Sequence, residues 1–347
     1  MEKVRGSRGP QASRREGSPP SRRIHDAPAG SRRDRPETAH RAGFCAIVGR
    51  PNVGKSTLLN RVLGEKLAIV SAKPQTTRNR MLGVLTKPHL QVAFFDTPGI
   101  HRAKGHLNRF MVEQALGILP DVDVVLFLVE PGLIRDPSVP SEVRVEIGEA
   151  NRFVVEKLEQ AARPVILGIN KVDTVPKDVL LPVIAAWREV LPRAEIFPLS
   201  ALTGDGIEQL VELVGAHLPE GPAIFAEDML TDAAERFIVA EFIREQILRA
   251  THQEIPYSCA VVIESFDESE REGRGLVRIF ARIYVERDSQ KAIVIGRQGA
   301  MLKKIGTAAR REIERMLGCR IFLSLQVSVE PRWSERQDAL RRLGYGR

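Results

Sequence analysis

The run "FCAIVGRPNVGKSTLLN", residues 44–60, constrains the fold more than any other stretch of this chain. An apolar segment ends at Gly49. A GxxxxGK[ST] loop follows to Ser56, and Thr57, Leu58 and Leu59 then begin a helical period. A buried strand that turns on glycines straight into a helix opens a doubly wound α/β domain. Gly49 and Gly54 let the backbone of Arg50, Pro51, Asn52 and Val53 curl round a phosphate. The helix start adds its positive end, Lys55 reaches the outer phosphates, and the Ser56 hydroxyl is a magnesium ligand. Thr57 completes the loop-to-helix turn.

Downstream the chain keeps alternating. "QVAFFD", "DVVLFLVE", "PVILGIN" and "EIFPLS" read as short buried strands. The intervening segments 105–118, 141–162, 178–190 and 206–217 read as helices. This order predicts a mainly parallel sheet covered on both faces. "LPEGPAIFAED", 218–228, breaks the pattern with Pro, Gly and acidic residues. The expected organisation is a basic tail over 1–42, a nucleotide domain over 43–220, a linker over 221–230, a second domain over 231–330 and a basic tail over 331–347.

Three further motifs sit at strand ends. "DTPG" supplies Asp96, which can hold magnesium through water, then Thr97, Pro98 and Gly99, whose amide can meet a γ-phosphate. "NKVD" supplies Asn170, Lys171, Val172 and Asp173. A carboxylate at Asp173 can accept both donors on one edge of guanine, a pair that adenine lacks. Asn170 buttresses the base and Lys171 lies along its face. "SAL", Ser200, Ala201 and Leu202, offers amides to the guanine oxygen. Together these point to GTP and GDP with Mg²⁺. In "KPQTTRNR", 73–80, a threonine hydroxyl can complete the magnesium shell, with Thr77 favoured over Thr76. Ile100 stands just after DTPG, where some GTPases carry a water-orienting Gln, and cannot take that role; His101 reads as a surface residue. The catalytic set expected is therefore Lys55, Thr77, Asp96, Gly99 and Asn52, the last as a candidate ligand for K⁺ as a charge stabiliser.

Residues 231–330 follow another plan. "AERFIVAEFIREQILRA" reads as an amphipathic helix, "SCAVVIESF" and "GLVRIFARIYVE" as strands, "SQKAIVIG" and "AMLKKIGTAARREIERML" as helices flanking a GRQG turn, and "RIFLSLQVSVE" as a closing strand. The order α-β-β-α-α-β with GxxG between two helices is that of a type II KH module, a single-stranded RNA binder. From Lys291 to Arg311 there are six basic residues and no acidic one. Candidate RNA contacts are Lys291, Gly296, Arg297, Gln298, Gly299, Lys303, Lys304 and Arg310. The closing "EPRWSERQDALRRLGYGR" either covers this module or touches RNA.

Composition removes other classes. The formal net charge is +8, and residues 1–42 carry 11 Lys and Arg against 5 Asp and Glu. That leader has no apolar period and is expected to be disordered, a polybasic tail that strengthens RNA binding or, as the alternative, a transit peptide. No apolar run approaches the roughly 18–20 residues of a membrane span. Three scattered cysteines fit neither a metal site nor a disulfide framework. A second GKS loop, the mark of a tandem GTPase, is absent from the sequence. A non-enzymatic RNA binder with a vestigial site is disfavoured by intact Lys55, Ser56, Asp96 and Asp173.

"GRPNVGKSTLLN", "QTTR", "DTPG", "NKVD", "VIGRQG" and the ending "RRLGY" together resemble the Era family of bacterial KH-domain GTPases, over residues 44 to about 345. The resemblance implies an α/β P-loop GTPase followed by an α+β KH domain. It further implies GTP-dependent binding near the 3′ end of 16S rRNA in small-subunit assembly. A cytoplasmic location with peripheral contact at the inner membrane and a mostly monomeric state are expected with it. It also accounts for Ile100, since the family is hydrophobic there. The basic leader departs from the family core.

Overall fold

The computed structural model describes residues 40–345 apart from 72, 104, 137, 138 and 252–254. The expected basic leader lies outside the described residues up to residue 39. Its last two residues instead begin the first strand, β1 (Arg41–Gly49). The strands that follow are β2 (Met81–Lys87), β3 (Leu90–Asp96), β4 (Val124–Val129), β5 (Leu133–Asp136), β6 (Val139–Val145), β7 (Val165–Ile169) and β8 (Glu195–Pro198). The helices among them are α1 (Lys55–Leu63), α2 (His106–Leu116), α3 (Glu149–Ala161), α4 (Leu180–Val190) and α5 (Ile207–Ala216).

Six strands form one sheet in the order β2-β3-β1-β4-β7-β8. All its pairings are parallel except β2 with β3, a hairpin turning at Pro88–His89. Alternation along β1 divides the core. Cys45 and Ile47 join Leu58 and Leu59 of α1 and Leu210 and Val214 of α5 on one face. Ala46 and Val48 join Val154 and Leu158 of α3 and Trp187 of α4 on the other. Trp187 meets Phe127 edge-on at 5.7 Å. This parallel order brings the ends of β1, β3, β7 and β8 to one edge, where nucleotide loops of α/β sheets lie.

Two expectations over this region need correction. Residues 141–145 are not helical but belong to β6, paired with β5 as a separate ribbon. The strict alternation Val143, Val145, Ile147 with charges between is a strand period, and α3 starts only after Gly148. The antiparallel β2 is a further strand beyond those expected, although a hairpin signal, Lys87-Pro88-His89-Leu90, separates two apolar runs.

After α5 a segment with little regular structure leads to α6 (Glu235–Ala250). Its backbone meets the sheet at two places: an antiparallel bridge between Arg41 and Glu220, and a hydrogen bond from the Val84 amide to the Leu230 carbonyl. Then come β9 (Ala260–Asp267), β10 (Leu276–Val285), α7 (Asp288–Ile295), α8 (Ala300–Leu317) and β11 (Arg320–Val329). β10 lies between β9, antiparallel, and β11, parallel. Ile305, Ala309, Ile313 and Leu317 form the buried stripe of α8. The expected two-sided amphipathicity of α6 is not what the structure has. Glu241, Arg244, Glu245 and Gln246 are buried along with Ile238, Phe242 and Ile247, because α6 is enclosed between the two domains. One buried apolar cluster accordingly runs from the α1–α5 face through α6 into the second sheet.

Candidate nucleotide and nucleic-acid sites

The P-loop is held from below. Gly54 has φ +101°, and a Cβ there would lie 2.3 Å from Asn170 Nδ2, so only glycine fits. Asn170 is 2% exposed. Its Nδ2 donates to the Val53 carbonyl (2.7 Å) and its Oδ1 accepts from the Ala201 amide (2.9 Å). One side chain thereby ties the phosphate loop to the SAL loop. Expected as a buttress for the base, Asn170 stands as a strut between two loops.

Pro51, Asn52, Gly54, Lys55, Ser56, Thr57, Thr77, Gly99 and Lys171 line a single cleft of about 440 Å³. Lys55 Nζ donates to the carbonyls of Arg50 (2.8 Å) and Gly49 (3.2 Å). Burial pulls its pKa down to about 8, against the opposing pull of Asp96. Three oxygens converge beside it. Ser56 Oγ donates to Asp96 Oδ2 (2.6 Å) and lies 2.9 Å from Thr77 Oγ1, which is 3.3 Å from the same carboxylate oxygen. Asp96 is fully buried, which raises its pKa against the opposing effect of Lys55, Ser56 and Thr77. Its Oδ1 is buried with no hydrogen-bond partner. A buried carboxylate with an orphaned oxygen beside two hydroxyls is a donor set that a hard cation such as Mg²⁺ satisfies. Thr76 takes no part: its hydroxyl donates to the Lys73 carbonyl (2.7 Å). Thr97 is buried, bonded to the Ile47 carbonyl (2.8 Å), and Pro98 is buried beside it. Ile100 is fully buried, its amide donating to the Gly49 carbonyl. His101 Nδ1 is 2.9 Å from the Gly99 carbonyl.

On the base side, Ser200 Oγ donates to Asp173 Oδ1 (2.6 Å), orienting a carboxylate that remains exposed. Lys171 takes φ +64° and donates to the Asn52 carbonyl (2.8 Å) and to Glu130. The Val172 amide reaches the Leu199 carbonyl (3.3 Å), and Leu202 projects outward, 68% exposed. Sequence reading missed two supports. Glu130 at the end of β4 holds Lys171, and Arg61 in the last turn of α1 donates to the Ala201 and Leu202 carbonyls. Neither has a motif of its own.

The second site is a groove of about 670 Å³ between α8 and the edge strand β11. The GRQG turn opens it. Gly299 sits at φ +79° as the N-cap of α8, so the helix start faces the groove. Of the residues expected to touch RNA, Gly299, Lys303 and Arg310 line the groove. Arg297, Gln298 and Lys304 are exposed near it, whereas Gly296 and Lys291 are half-buried. Arg310 is shared with Glu314 (2.9 Å). The groove also contains residues absent from the sequence expectation. Phe322 is 47% exposed, its ring 5.8 Å from that of Phe280 and 6.0 Å from the Arg278 guanidinium carbon. An exposed aromatic beside a basic groove can stack a base while cations hold the backbone. The outward strand positions of Phe280 and Phe322 were a signal, but such positions show only once the sheet is known.

The expected basic tail is not loose. Trp333, Leu340 and Tyr345 are buried against Leu107 and Met111 of α2, and a short helix, α9 (Gln337–Arg342), forms within it. Among the described residues no helix is long and apolar enough to cross a membrane.

Comparison with known proteins finds both domains. A family described as 50S ribosome-binding GTPase matches residues 44–171, and the KH domain family matches residues 254–334. GTPase Era of Geobacter sp. (strain M21) is 54% identical over 309 residues, covering 89% of this chain and 99% of that protein. GTPase Era of Leuconostoc citreum (strain KM20) is 46% identical over 311 residues, covering 89% of this chain and 98% of that protein. A crystal structure of Era in complex with MgGDPNP and nucleotides 1506–1542 of 16S ribosomal RNA matches with TM-score 0.82 at 38% identity, covering 89% of this chain and 100% of that one. That of a point variant of Aquifex aeolicus Era bound to GDP·AlF4⁻ matches with TM-score 0.80, also at 38% identity, covering 88% of this chain and 100% of that one. With about half its residues identical to those of GTPase Era over most of its length, and with both family domains in the same order, the chain belongs to the GTPase Era family, GTP hydrolases with a P-loop domain followed by a KH domain.

Proposed function

We propose that this chain is a GTP-driven switch that binds single-stranded RNA at the 3′ end of 16S rRNA and acts in assembly of the small (30S) ribosomal subunit. The observation that carries the reading is the presence of a guanine-nucleotide cleft and a KH groove in one chain, similar over most of its length to an Era solved with MgGDPNP and a 16S rRNA segment.

Lys55 and the P-loop amides hold the phosphates, and Asp173 reads the guanine edge. Ser56 and Thr77 hold Mg²⁺ directly and Asp96 holds it through water; the ion would neutralise charge between the outer phosphates. With GTP present, the loops 73–80 and 97–105 order against the γ-phosphate, Gly99 donating its amide. Hydrolysis releases them, and the RNA-bound state loses its support. RNA must then favour the GTP form by the same free energy. Because Ile100 cannot orient water, Lys55 stabilises the transferring charge, and Asn52, which lines the cleft at φ +67°, would hold a K⁺ that would add positive charge there. Equal hydrolysis rates in potassium and sodium buffers would remove K⁺ from this scheme. The protein works in the cytoplasm, mostly as a monomer, with peripheral contact at the membrane.

The test is crosslinking to RNA in the protein's own cells, wild type against Gly299→Asp. Sites at the 3′ end of 16S rRNA that vanish in the variant are expected. Sites elsewhere, or sites indifferent to Gly299, would refute the client assignment.

A further inference from the structure

The loop that carries Thr77 is held largely by the other half of the chain. Lys73 Nζ donates to the carbonyls of Leu248 and Thr251, Arg244 of α6 donates to the Thr76 carbonyl, and the Val70 amide donates to Glu245 (3.0 Å). Arg78, adjacent to Thr77, goes furthest. Its side chain is fully buried. Nη1 donates to the Cys259 carbonyl (2.7 Å), and Nη2 donates to the Tyr257 carbonyl (3.0 Å). The guanidinium carbon lies 5.6 Å from the ring centroids of both Trp333 and Tyr345. Those rings stack on each other at 5.6 Å, and Trp333 Nε1 donates to the Ser258 carbonyl (2.9 Å).

The same aromatic pair also closes over α2, the helix that follows the DTPG loop. Leu107 and Met111 share its buried cluster, and Phe110 meets Tyr345 edge-on at 6.3 Å. Both nucleotide-sensing segments, 73–80 and the one running from DTPG into α2, thus converge on the C-terminal residues 333–345.

A buried guanidinium cannot leave its partners cheaply, so Arg78 fixes the backbone one residue from Thr77. Thr77 then needs little further ordering to reach Ser56 and Asp96. Without that seat, the entropy of ordering the loop would fall on the GTP state alone, since GDP has no γ-phosphate for the loop to close on.

We infer that Arg78 is a positioning residue for Thr77, and that the C-terminal Trp333–Tyr345 segment is its seat and so a working part of the nucleotide switch. This rests on the reading of Thr77 as a magnesium ligand. The ending does pack on the second domain, against Ala260 and Tyr284, as one of its two expected roles had it, and this adds a role at the nucleotide loop.

The test uses the full chain with Mg²⁺ and compares affinities for GDP and the non-hydrolysable analogue GDPNP. Arg78→Gln, and separately Tyr345→Ala in case the buried Arg78 variant does not fold, should leave GDP affinity unchanged. Each should weaken GDPNP about tenfold, within the usual range of coupling between sites. Thr77→Ala should show the same selective loss, and adding Arg78→Gln to it should cost nothing more, because the two act through one contact. Equal weakening of both nucleotides, or additive losses in the double variant, would mean a merely structural role and overturn the inference. If Thr77→Ala alone leaves GDPNP tight, the ligand reading of Thr77 falls and the inference falls with it. If Thr77→Ala weakens GDPNP while neither seat variant does, only the inference is overturned.

Discussion

Replacing Asn170 by Ala removes both hydrogen bonds that join the P-loop to the SAL loop, at a position only 2% exposed. The Val53 carbonyl and the Ala201 amide belong to residues that are each 2% exposed, so water can replace the lost partners only by opening the structure. A buried polar group left unpaired costs about 1–3 kcal/mol, so the two together amount to roughly 2–6 kcal/mol. Urea unfolding of the nucleotide-free protein reads this directly. It is best followed at Trp187, inside the nucleotide domain, in a chain whose other tryptophan is removed by Trp333→Phe. With a denaturant slope of about 2 kcal/mol per molar, the midpoint should fall by about 1–3 M. An unmoved midpoint combined with weakened GDP binding would refute the strut and return Asn170 to contact with the base alone.

Lys55→Ala should lower GTP affinity by about a hundredfold or more, since each hydrogen bond between charged groups contributes about 1.5–3 kcal/mol; tight binding in an equilibrium titration would refute the phosphate-loop assignment. Asp173→Asn should move preference from guanine toward xanthine nucleotides, read by competition, and an unchanged preference would count against Asp173 as the base reader. Phe322→Ala should weaken binding to a single-stranded 16S 3′-end oligonucleotide by about 1–3 kcal/mol, the usual worth of one stacked base. Hydrolysis without RNA should be unaffected, and unchanged RNA affinity would place the bases away from β11. Arg310→Ala should instead flatten the salt dependence of that binding by about one unit of slope, measured across a salt series.

Much of the nucleotide site was legible because its chemistry is local. GxxxxGKS, DTPG, NKVD and SAL each place their side chains within a few residues of a strand end, and strand ends can be read from short apolar runs. The KH order was legible for the same reason: its GxxG turn and the buried stripe of α8 are short-range patterns. Where a local period was misread, as over 141–162, the strand alternation was present but β5 and β6 lie outside the main sheet.

What tertiary structure alone decided is which residues far apart in sequence share an environment. Nothing local marks Glu130 as the partner of Lys171, Arg61 as the support of the SAL loop, or Phe322 as the wall of the groove. Arg78 looks like any surface arginine in a polar loop until the carbonyls of Tyr257 and Cys259 and the rings of Trp333 and Tyr345 close round it. Glu241, Arg244 and Glu245 likewise make α6 read as half-solvated, yet the packing of two domains buries them. Propensity and motif act over one to four residues, so most of the elements and the chemistry of the motifs could be read from the sequence alone. Burial and ion pairing depend on the summed contacts of the whole chain, so the coupling between its two halves exists only in the folded molecule.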